Sequence, residues 1–373
     1  MSQALAFQSA ATLPKIRVMV VDDAVVFRGL VTRWLADEPD MEVVSAHRNG
    51  HEAVENFLRV DPDVVVLDIE MPVLDGLEAL PLLLARKPSV TVIISSTVTR
   101  RNAEVGMRAL SLGAADYISK PETNREITMS SEFRRGLVER IRALGRRQLA
   151  LFPRIFTPGP APAVSSPPST VTLRPYSPMA AKVVVIGSST GGPQALQVIM
   201  RGLEPALRRV PVLVTQHMPP TFTTILAEHL GRTANRPAHE GVSGEPLVPG
   251  TIYVAPGAKH MVIARDADGA RIVINDDPPV HFCKPAVDPL FASAAAAFGP
   301  GALGVILTGM GTDGAAGAAQ IASAGGSIIA QDEATSVIWG MPGTAVEAGV
   351  CSGVMPLEEI AAKISELTGG GVA

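Results

Sequence analysis

The sequence predicts two α/β units in series, each a parallel β-sheet covered by helices, joined by a proline-rich segment. Three observations carry that expectation. Continuous apolar runs recur along the chain, among them IRVMVV (16–21), VVVL (64–67), VVVI (183–186), VLVTQ (212–216) and LGVILT (303–308). Strands that are apolar at successive positions are buried on both faces, as parallel strands under helices are. Helical segments separate these runs, which suits crossover connections. Finally, 373 residues with 47% hydrophobic content suffice for two cores of ordinary size. Residues 152–178 are rich in prolines and small polar residues, which cannot build a core and favour an extended, partly mobile linker.

The chain opens with MSQALAFQSAATLPKIR, which lacks a charged start and a long apolar core. No later stretch reaches the length of a membrane span, so the expectation is a short tail on a cytoplasmic protein with no direct membrane insertion. The first strand, 16–21, ends in Asp22 and Asp23, adjacent carboxylates that suit a hard cation. The strand 64–67 ends in Asp68, and MPVLDG (71–76) then turns into a helical stretch. The run 92–94 ends in Ser95, Ser96 and Thr97, and ADYISKP places Lys120 before Pro121. Ligands of such sheets sit beyond the carboxyl ends of the strands, so all these groups share one rim. Taken singly, an acidic pair caps a helix, Asp68 begins a turn and Lys120 is solvated. Taken together, they would hold Mg2+ between the acids, make Asp68 a phosphoacceptor, and let Lys120 and Ser95 contact phosphoryl oxygens. Residues 133–149 carry apolar positions at helical spacing and many arginines, which predicts the unit's last helix with a solvated basic face.

From about Lys15 to the helix near Arg146 these residues resemble a response-regulator receiver domain, a (βα)5 fold. The resemblance implies that Asp68 is phosphorylated, that Asp22 and Asp23 bind Mg2+ with it, and that Lys120 contacts the phosphate. It also implies a conformational switch made of a hydroxyl and an aromatic, here Ser95 and Tyr117.

The second unit opens with VVVIGSSTGGP (183–193), a strand running into a serine-bearing glycine turn. Read as G-x-S-x-G, its central residue is Ser189, the nucleophile position of an elbow. Phosphate cradles and plain loops share such short patterns. Two later strand ends supply what a serine nucleophile needs: His217 after VLVTQ, with Pro219 and Pro220 stopping the strand, and Asp313 in the turn GMGTDG (309–314). The histidine would act as general base and the aspartate would fix its tautomer. Backbone N–H groups of the glycine turns, Met310 among them, would receive the oxyanion, with Thr190 as a supporting residue. The order Ser, His, Asp differs from that of α/β-hydrolases, so that fold is not imported with the motif. Cys283, in HFCKPAVD (281–288), is a rival nucleophile near the cleft, weighed down by its polar setting before Lys284 and Pro285. His260 in PGAKHM could line the cleft, although a structural role in a turn suits it better.

Five ordered motifs, IGSSTGGP (186–193), TQHMPP (215–220), VAPGAKHM (254–261), LTGMGTDGA (307–315) and WGMPG (339–343), resemble the catalytic domain of the CheB family of chemotaxis protein-glutamate methylesterases. The resemblance implies a doubly wound, mainly parallel α/β domain with Ser189, His217 and Asp313 as triad and the Met310 position in the oxyanion site. It implies hydrolysis of γ-methyl glutamyl esters on methyl-accepting chemoreceptors, with deamidation of receptor glutamines as a second activity and no cofactor at the esterase site. A chemotaxis histidine kinase would phosphorylate the receiver and relieve its occlusion of the cleft, at the chemoreceptor arrays. The expected division is a tail (1–14), receiver (15–147), linker (148–180) and methylesterase domain (181–373).

Other classes fit less well. The two cysteines give neither metal spacing nor a disulfide framework, and the seven histidines form no HExxH pair. A net charge of −4 and the lack of a basic recognition helix argue against nucleic acid as partner. GSSTGG lacks the G-x-G-x-x-G spacing of a dinucleotide site. The remaining alternative is a phosphorylation-controlled, receptor-binding scaffold with a vestigial triad.

Overall fold

The computed structural model describes residues 14–97, 99–120, 131–152 and 172–369. The expected tail apart from Pro14, the central part of the proline-rich segment (153–171) and Pro121 lie outside the described residues.

Five strands form the first sheet: β1 (Ile16–Val21), β2 (Met41–His47), β3 (Val64–Asp68), β4 (Thr91–Thr97) and β5 (Asp116–Lys120). Their order is β2-β1-β3-β4-β5 with every neighbouring pair parallel. Around them lie α1 (Val25–Ala36), α2 (Gly50–Val60), α3 (Gly76–Arg86), α4 (Arg100–Ser111) and α5 (Ser131–Leu151). Side chains start three of these helices: Asn49 accepts from Glu52 N, Asp75 from Glu78 N and Thr99 from Asn102 N. Gly76 lets α3 begin directly beneath the end of β3, since a Cβ there would collide with the Asp68 carbonyl oxygen.

Two expectations change. β4 continues through Ser95, Ser96 and Thr97, because these hydroxyl residues stay in the ladder with β5 although they interrupt the apolar run. The arginines of α5 are not a solvated face. Arg134 meets Asp37, Arg142 meets Glu38 and Asp40, and Arg146 meets Asp40, so acids after α1 clamp the helix. Its other face buries Leu137, Ile141 and Leu144. The helix also runs four residues past 147, into the segment expected as linker.

The second sheet has the order β14-β13-β12-β6-β7-β9-β8, parallel throughout. Its strands are β6 (Val183–Ser188), β7 (Val212–Gln216), β8 (Ala238–Glu240), β9 (Ile252–Val254), β12 (Ala302–Ile306), β13 (Ser327–Gln331) and β14 (Gly353–Met355). An antiparallel hairpin, β10 (His260–Asp266) with β11 (Gly269–Asn275), stands apart. The helices are α6 (Gly192–Gly202), α7 (Glu204–Leu207), α8 (Phe222–Ala234), α9 (Val287–Phe298), α10 (Ala315–Ser323), α11 (Met341–Glu347) and α12 (Leu357–Leu367). Residues 172–180 are tied to this unit: Arg174 N donates to Cys351 O at 2.9 Å and Ser177 N to Ser327 Oγ at 2.9 Å.

Strand order reverses between β1 and β3 in the first sheet and between β6 and β12 in the second. In open parallel sheets a crevice opens at such a reversal, beyond the carboxyl ends. The two units also touch. α4 packs on α6 and α8, and the Tyr117 and Phe222 rings lie 4.1 Å apart between centroids. Apolar side chains of both units form one continuous buried cluster. Among the described residues no helix is long and apolar enough to cross a membrane.

Candidate active site

β6 delivers Ser189 to the rim of the second sheet. The chain turns at Gly191, whose φ of 77° is left-handed, and a Cβ there would lie 2.6 Å from Val337. Ser189 N donates to Thr308 O at 3.1 Å, and its own carbonyl accepts from Gly192 N at 2.8 Å. Gln216, the last residue of β7, braces this turn from the side. Its Oε1 accepts from Ser188 Oγ at 2.7 Å and its Nε2 donates to Ser189 O at 2.9 Å. His217 N then donates to Ser188 O at 3.1 Å. Sequence reasoning missed both Ser188 and Gln216 as supports. The available signal was a polar pair at the ends of two otherwise apolar, buried strands, which must find partners.

His217 Nε2 is 2.7 Å from Asp313 Oδ2. Asp313 is held in turn by the first N–H groups of α9: Val287 N reaches Oδ2 at 2.6 Å and Asp288 N reaches Oδ1 at 3.0 Å. These are donors that a helix start leaves unpaired, and they favour a negative charge. Asp288 returns the service to α10, its Oδ1 accepting from Gly314 N at 3.0 Å and Gly317 N at 2.7 Å. Burial pushes the Asp313 carboxyl up, but the His217 ring and the backbone N–H groups outweigh it and hold the group below its usual range. Burial likewise pushes the His217 imidazole down, and hydrogen bonds to Asp313 and Cys283 overcome this and lift it to about 10. Both shifts describe one buried pair in which each partner favours the other's charged form. His281, Asp288 and Asp313 also bring ligand atoms within 4.8 Å of one another, yet both carboxylates are already engaged.

A cleft of about 940 Å³ opens over this pair. Ser189, Thr190, His217, Met310 and Cys283 line it from the second unit, and Asp116, Tyr117 and Arg140 from the first. Of the expected triad, Ser189 and His217 thus line one crevice at the reversal of strand order, with Asp313 buried behind His217. In the state seen, no hydrogen bond among the described residues joins Ser189 Oγ to His217. The ring's Nδ1 instead faces Cys283 Sγ at 3.4 Å. Met310, the residue expected at the oxyanion site, lines the same cleft. Thr190 is engaged by the first unit, its Oγ1 donating to Asp116 Oδ2 at 2.8 Å, an oxygen that also accepts from Arg140 Nε at 3.1 Å. His260 is buried and bridges backbone, accepting from Ala286 N and meeting Pro278 O, a structural role as expected.

The rim of the first sheet gathers the other predicted set. Ligand oxygens of Asp22, Asp23 and Asp68 lie within 4.8 Å of one another. Lys120 Nζ is 2.6 Å from Asp22 Oδ2 and 2.8 Å from Asp68 Oδ2, and sits 4.6 Å above the Phe27 ring. Burial raises the Asp68 carboxyl to about 6, with Lys120 opposing and Asp22 adding to the rise; burial raises Asp22 as well. Converging, incompletely neutralised carboxylates are the hard-oxygen set that Mg2+ takes, so the residues fit that ion. Ser95 stands opposite Asp68 in the strand register, buried, with an Oγ that has no hydrogen-bond partner among the described residues. Tyr117 points the other way: its hydroxyl donates to Ser96 O at 3.1 Å while its ring rests on Phe222.

Comparison with known proteins places both units. Residues 184–364 match the family model described as CheB methylesterase, and residues 18–131 match the response regulator receiver domain. A protein-glutamate methylesterase/protein-glutamine glutaminase of Nitrobacter hamburgensis is 57% identical over 364 residues, covering 95% of this chain and 94% of that protein. One of a group 2 operon in Rhodopseudomonas palustris is 53% identical, covering 99% of each. The crystal structure of the Thermotoga maritima CheB methylesterase catalytic domain is 39% identical and covers 51% of this chain and 100% of that one, with a TM-score of 0.49.

Proposed function

The chain belongs to the protein-glutamate methylesterase/protein-glutamine glutaminase family, and we propose that Ser189, His217 and Asp313 carry its hydrolase chemistry under control of the receiver. The enzyme demethylates γ-glutamyl methyl esters of chemoreceptors, releasing methanol, and deamidates receptor glutamines. The single observation that supports this residue assignment is the buried His217–Asp313 pair opening onto the cleft that Ser189 lines.

Asp313 keeps the proton on His217 Nε2, which leaves Nδ1 as the nitrogen that takes the Ser189 proton. Ser189 Oγ then attacks the ester carbonyl, and the negative oxygen forms beside the Met310 N–H. Collapse expels methanol, protonated by the imidazolium, and leaves an acyl-serine. Water attacks that ester with His217 again as base, giving the glutamate carboxylate and free Ser189. With a glutamine substrate the leaving group is ammonia, and the remaining steps are shared. A scaffold with an idle triad is not favoured, since relatives spanning 95% of this chain or more are named for hydrolysis.

Control lies at the other rim. Asp68 accepts a phosphoryl group from a chemotaxis histidine kinase, with Lys120 and Ser95 placed to contact its oxygens. Mg2+, held by Asp22, Asp23 and Asp68, would neutralise phosphoryl charge during that transfer. In the unphosphorylated state the Thr190–Asp116 bond and the Tyr117–Phe222 stack hold the receiver over the cleft. Phosphorylation shifts the docked and released populations and leaves the triad chemistry alone. Kinase and receptor together set the place of work at cytoplasmic receptor arrays. The test is methanol release from methylated cognate receptor, with and without Mg2+ and a small phosphodonor. Release that rises with phosphodonor and vanishes in Ser189→Ala supports the reading; phosphodonor-stimulated release that survives Ser189→Ala refutes the assignment.

A further inference from the structure

His217 has two ring nitrogens, and both are engaged. Nε2 meets Asp313, while Nδ1 lies 3.4 Å from Cys283 Sγ. The thiol therefore occupies the one nitrogen through which the ring could serve Ser189.

A strained turn puts Cys283 there. Val280 N donates to Cys283 O at 3.1 Å and Cys283 N to Val280 O at 2.8 Å, so His281 and Phe282 are the central pair of a two-residue hairpin. Both are left-handed, with φ of 49° and 61°. That is the arrangement Asn and Gly ordinarily supply, and bulky residues adopt it only where their surroundings impose it. Two contacts impose it here. His281 Nε2 is 3.2 Å from Asp288 Oδ2, and the guanidinium of Arg135, on α5 of the receiver, sits 4.2 Å from the centre of the Phe282 ring. The receiver thus touches the same turn whose last residue holds the base.

We infer that Cys283 is a positioning residue of the hydrolase reaction: its thiol competes with Ser189 for His217 Nδ1, and the receiver docked on the 280–283 turn reinforces that hold. The inference rests on the reading of Ser189 as nucleophile and His217 as its base. When the receiver leaves, Arg135 leaves Phe282, the turn loses one of its two restraints, and Nδ1 passes to Ser189. Occlusion and retention of the base are then separate brakes released by one movement. Because the Cys283 contact helps lift the imidazole, its removal also lowers the pH at which the ring becomes a base. The other charged groups on this cleft, Asp116, Lys120, Arg135, Glu139 and Arg140 from the receiver and His281 from the turn, remain as they are.

Full-length wild type, Cys283→Ala and Cys283→Ser, each with and without Ser189→Ala, are compared for methanol release from methylated receptor without phosphodonor, where the receiver stays docked and the thiol holds Nδ1. A lost weak hydrogen bond predicts kcat about fivefold higher in Cys283→Ala, with KM unchanged and the acid limb of the kcat profile moved to lower pH. Cys283→Ser, which keeps a hydrogen-bonding group, should stay near wild type. An unchanged kcat and acid limb in Cys283→Ala, or a change in KM alone, overturns the inference. A kcat that falls in Cys283→Ala and returns in Cys283→Ser overturns it as well, because the thiol would then be helping the base. The Ser189→Ala arm keeps the two readings apart. If it abolishes release in every background the triad stands whatever Cys283 does, whereas turnover that survives Ser189→Ala and dies in Cys283→Ala makes the thiol the nucleophile and removes both.

Discussion

The two sheet rims are built on one plan and tuned in opposite directions. Each gathers its chemistry where strand order reverses, and each centres on a buried aspartate. Asp313 receives two backbone N–H groups and a histidine, and its carboxyl is held low. Asp68 has one backbone donor, Ile69 N, and shares Lys120 with Asp22, so burial leaves its carboxyl high, at about 6. In the proposed reading, the carboxylate that keeps its charge through the reaction is over-satisfied, and the one that would take up a cation and a phosphoryl group is left wanting. The difference teaches that burial alone does not mark a functional acid, and that the number of fixed donors around it separates a permanent charge from a switchable one.

The sharpest way to break the contrast is at Asp313. Asp313→Asn should lower kcat for methanol release by about 10⁴, because the amide presents the wrong hydrogen-bonding group to Nε2. It should also cost about 1 kcal/mol of stability in thermal unfolding, because an amide keeps one acceptor oxygen and so gives up one of the two α9 backbone N–H groups that Asp313 holds. A kcat within tenfold of wild type would mean the pair is not the catalytic one.

Asp68→Asn should do the reverse to stability. A carboxyl raised in the folded state favours folding only below its unfolded value, and that contribution is lost as pH rises through about 6. At pH 7.5 the charged Asp68 is therefore a net cost, and Asp68→Asn should gain on the order of 2 kcal/mol while losing all stimulation by phosphodonor. The gain should shrink as pH falls below about 6, and a Tm lowered at pH 7.5 would contradict the account. Added Mg2+ should raise the Tm of wild type more at pH 7.5 than at pH 5.5, since protons compete for Asp68; equal shifts at both values would argue against these three acids as its ligands.

The smallest effect concerns the contact between rims. Tyr117→Ala removes the ring from Phe222 and should raise methanol release without phosphodonor by about fivefold, the worth of one buried aromatic pair, with the fully activated rate unchanged. Basal release equal to wild type would show that this stack does not hold the receiver down.

Much of this was legible in the sequence, for a physical reason. Doubly buried strands must be apolar along their length, so a lone Asp, His or Ser at the end of such a run stands out, and the proposed triad and the acids of the first rim were singled out that way. Residues that act across the chain left no such mark. Asp116 and Thr190 are separated by 74 positions, and each looks ordinary in its own segment. Gln216 and Asp288 support the site through backbone groups, which sequence cannot pair. Cys283 was placed near the cleft but discounted for its polar setting, because nothing in HFCKPAVD reveals a turn with two left-handed residues. The arginines of α5 were taken as solvated since their acids sit about a hundred residues away in sequence.

Tyr117 and Phe222 belong to one polypeptide, and so do Asp116 and Thr190. Docking is consequently a unimolecular equilibrium, in which each partner meets the other at an effective concentration fixed by the tether and independent of how many copies the cell holds. The threshold for release is a property of the single molecule. Cells that make more of this enzyme would gain adaptation capacity in proportion, while the phosphorylation level that switches each copy on would stay where the interface set it.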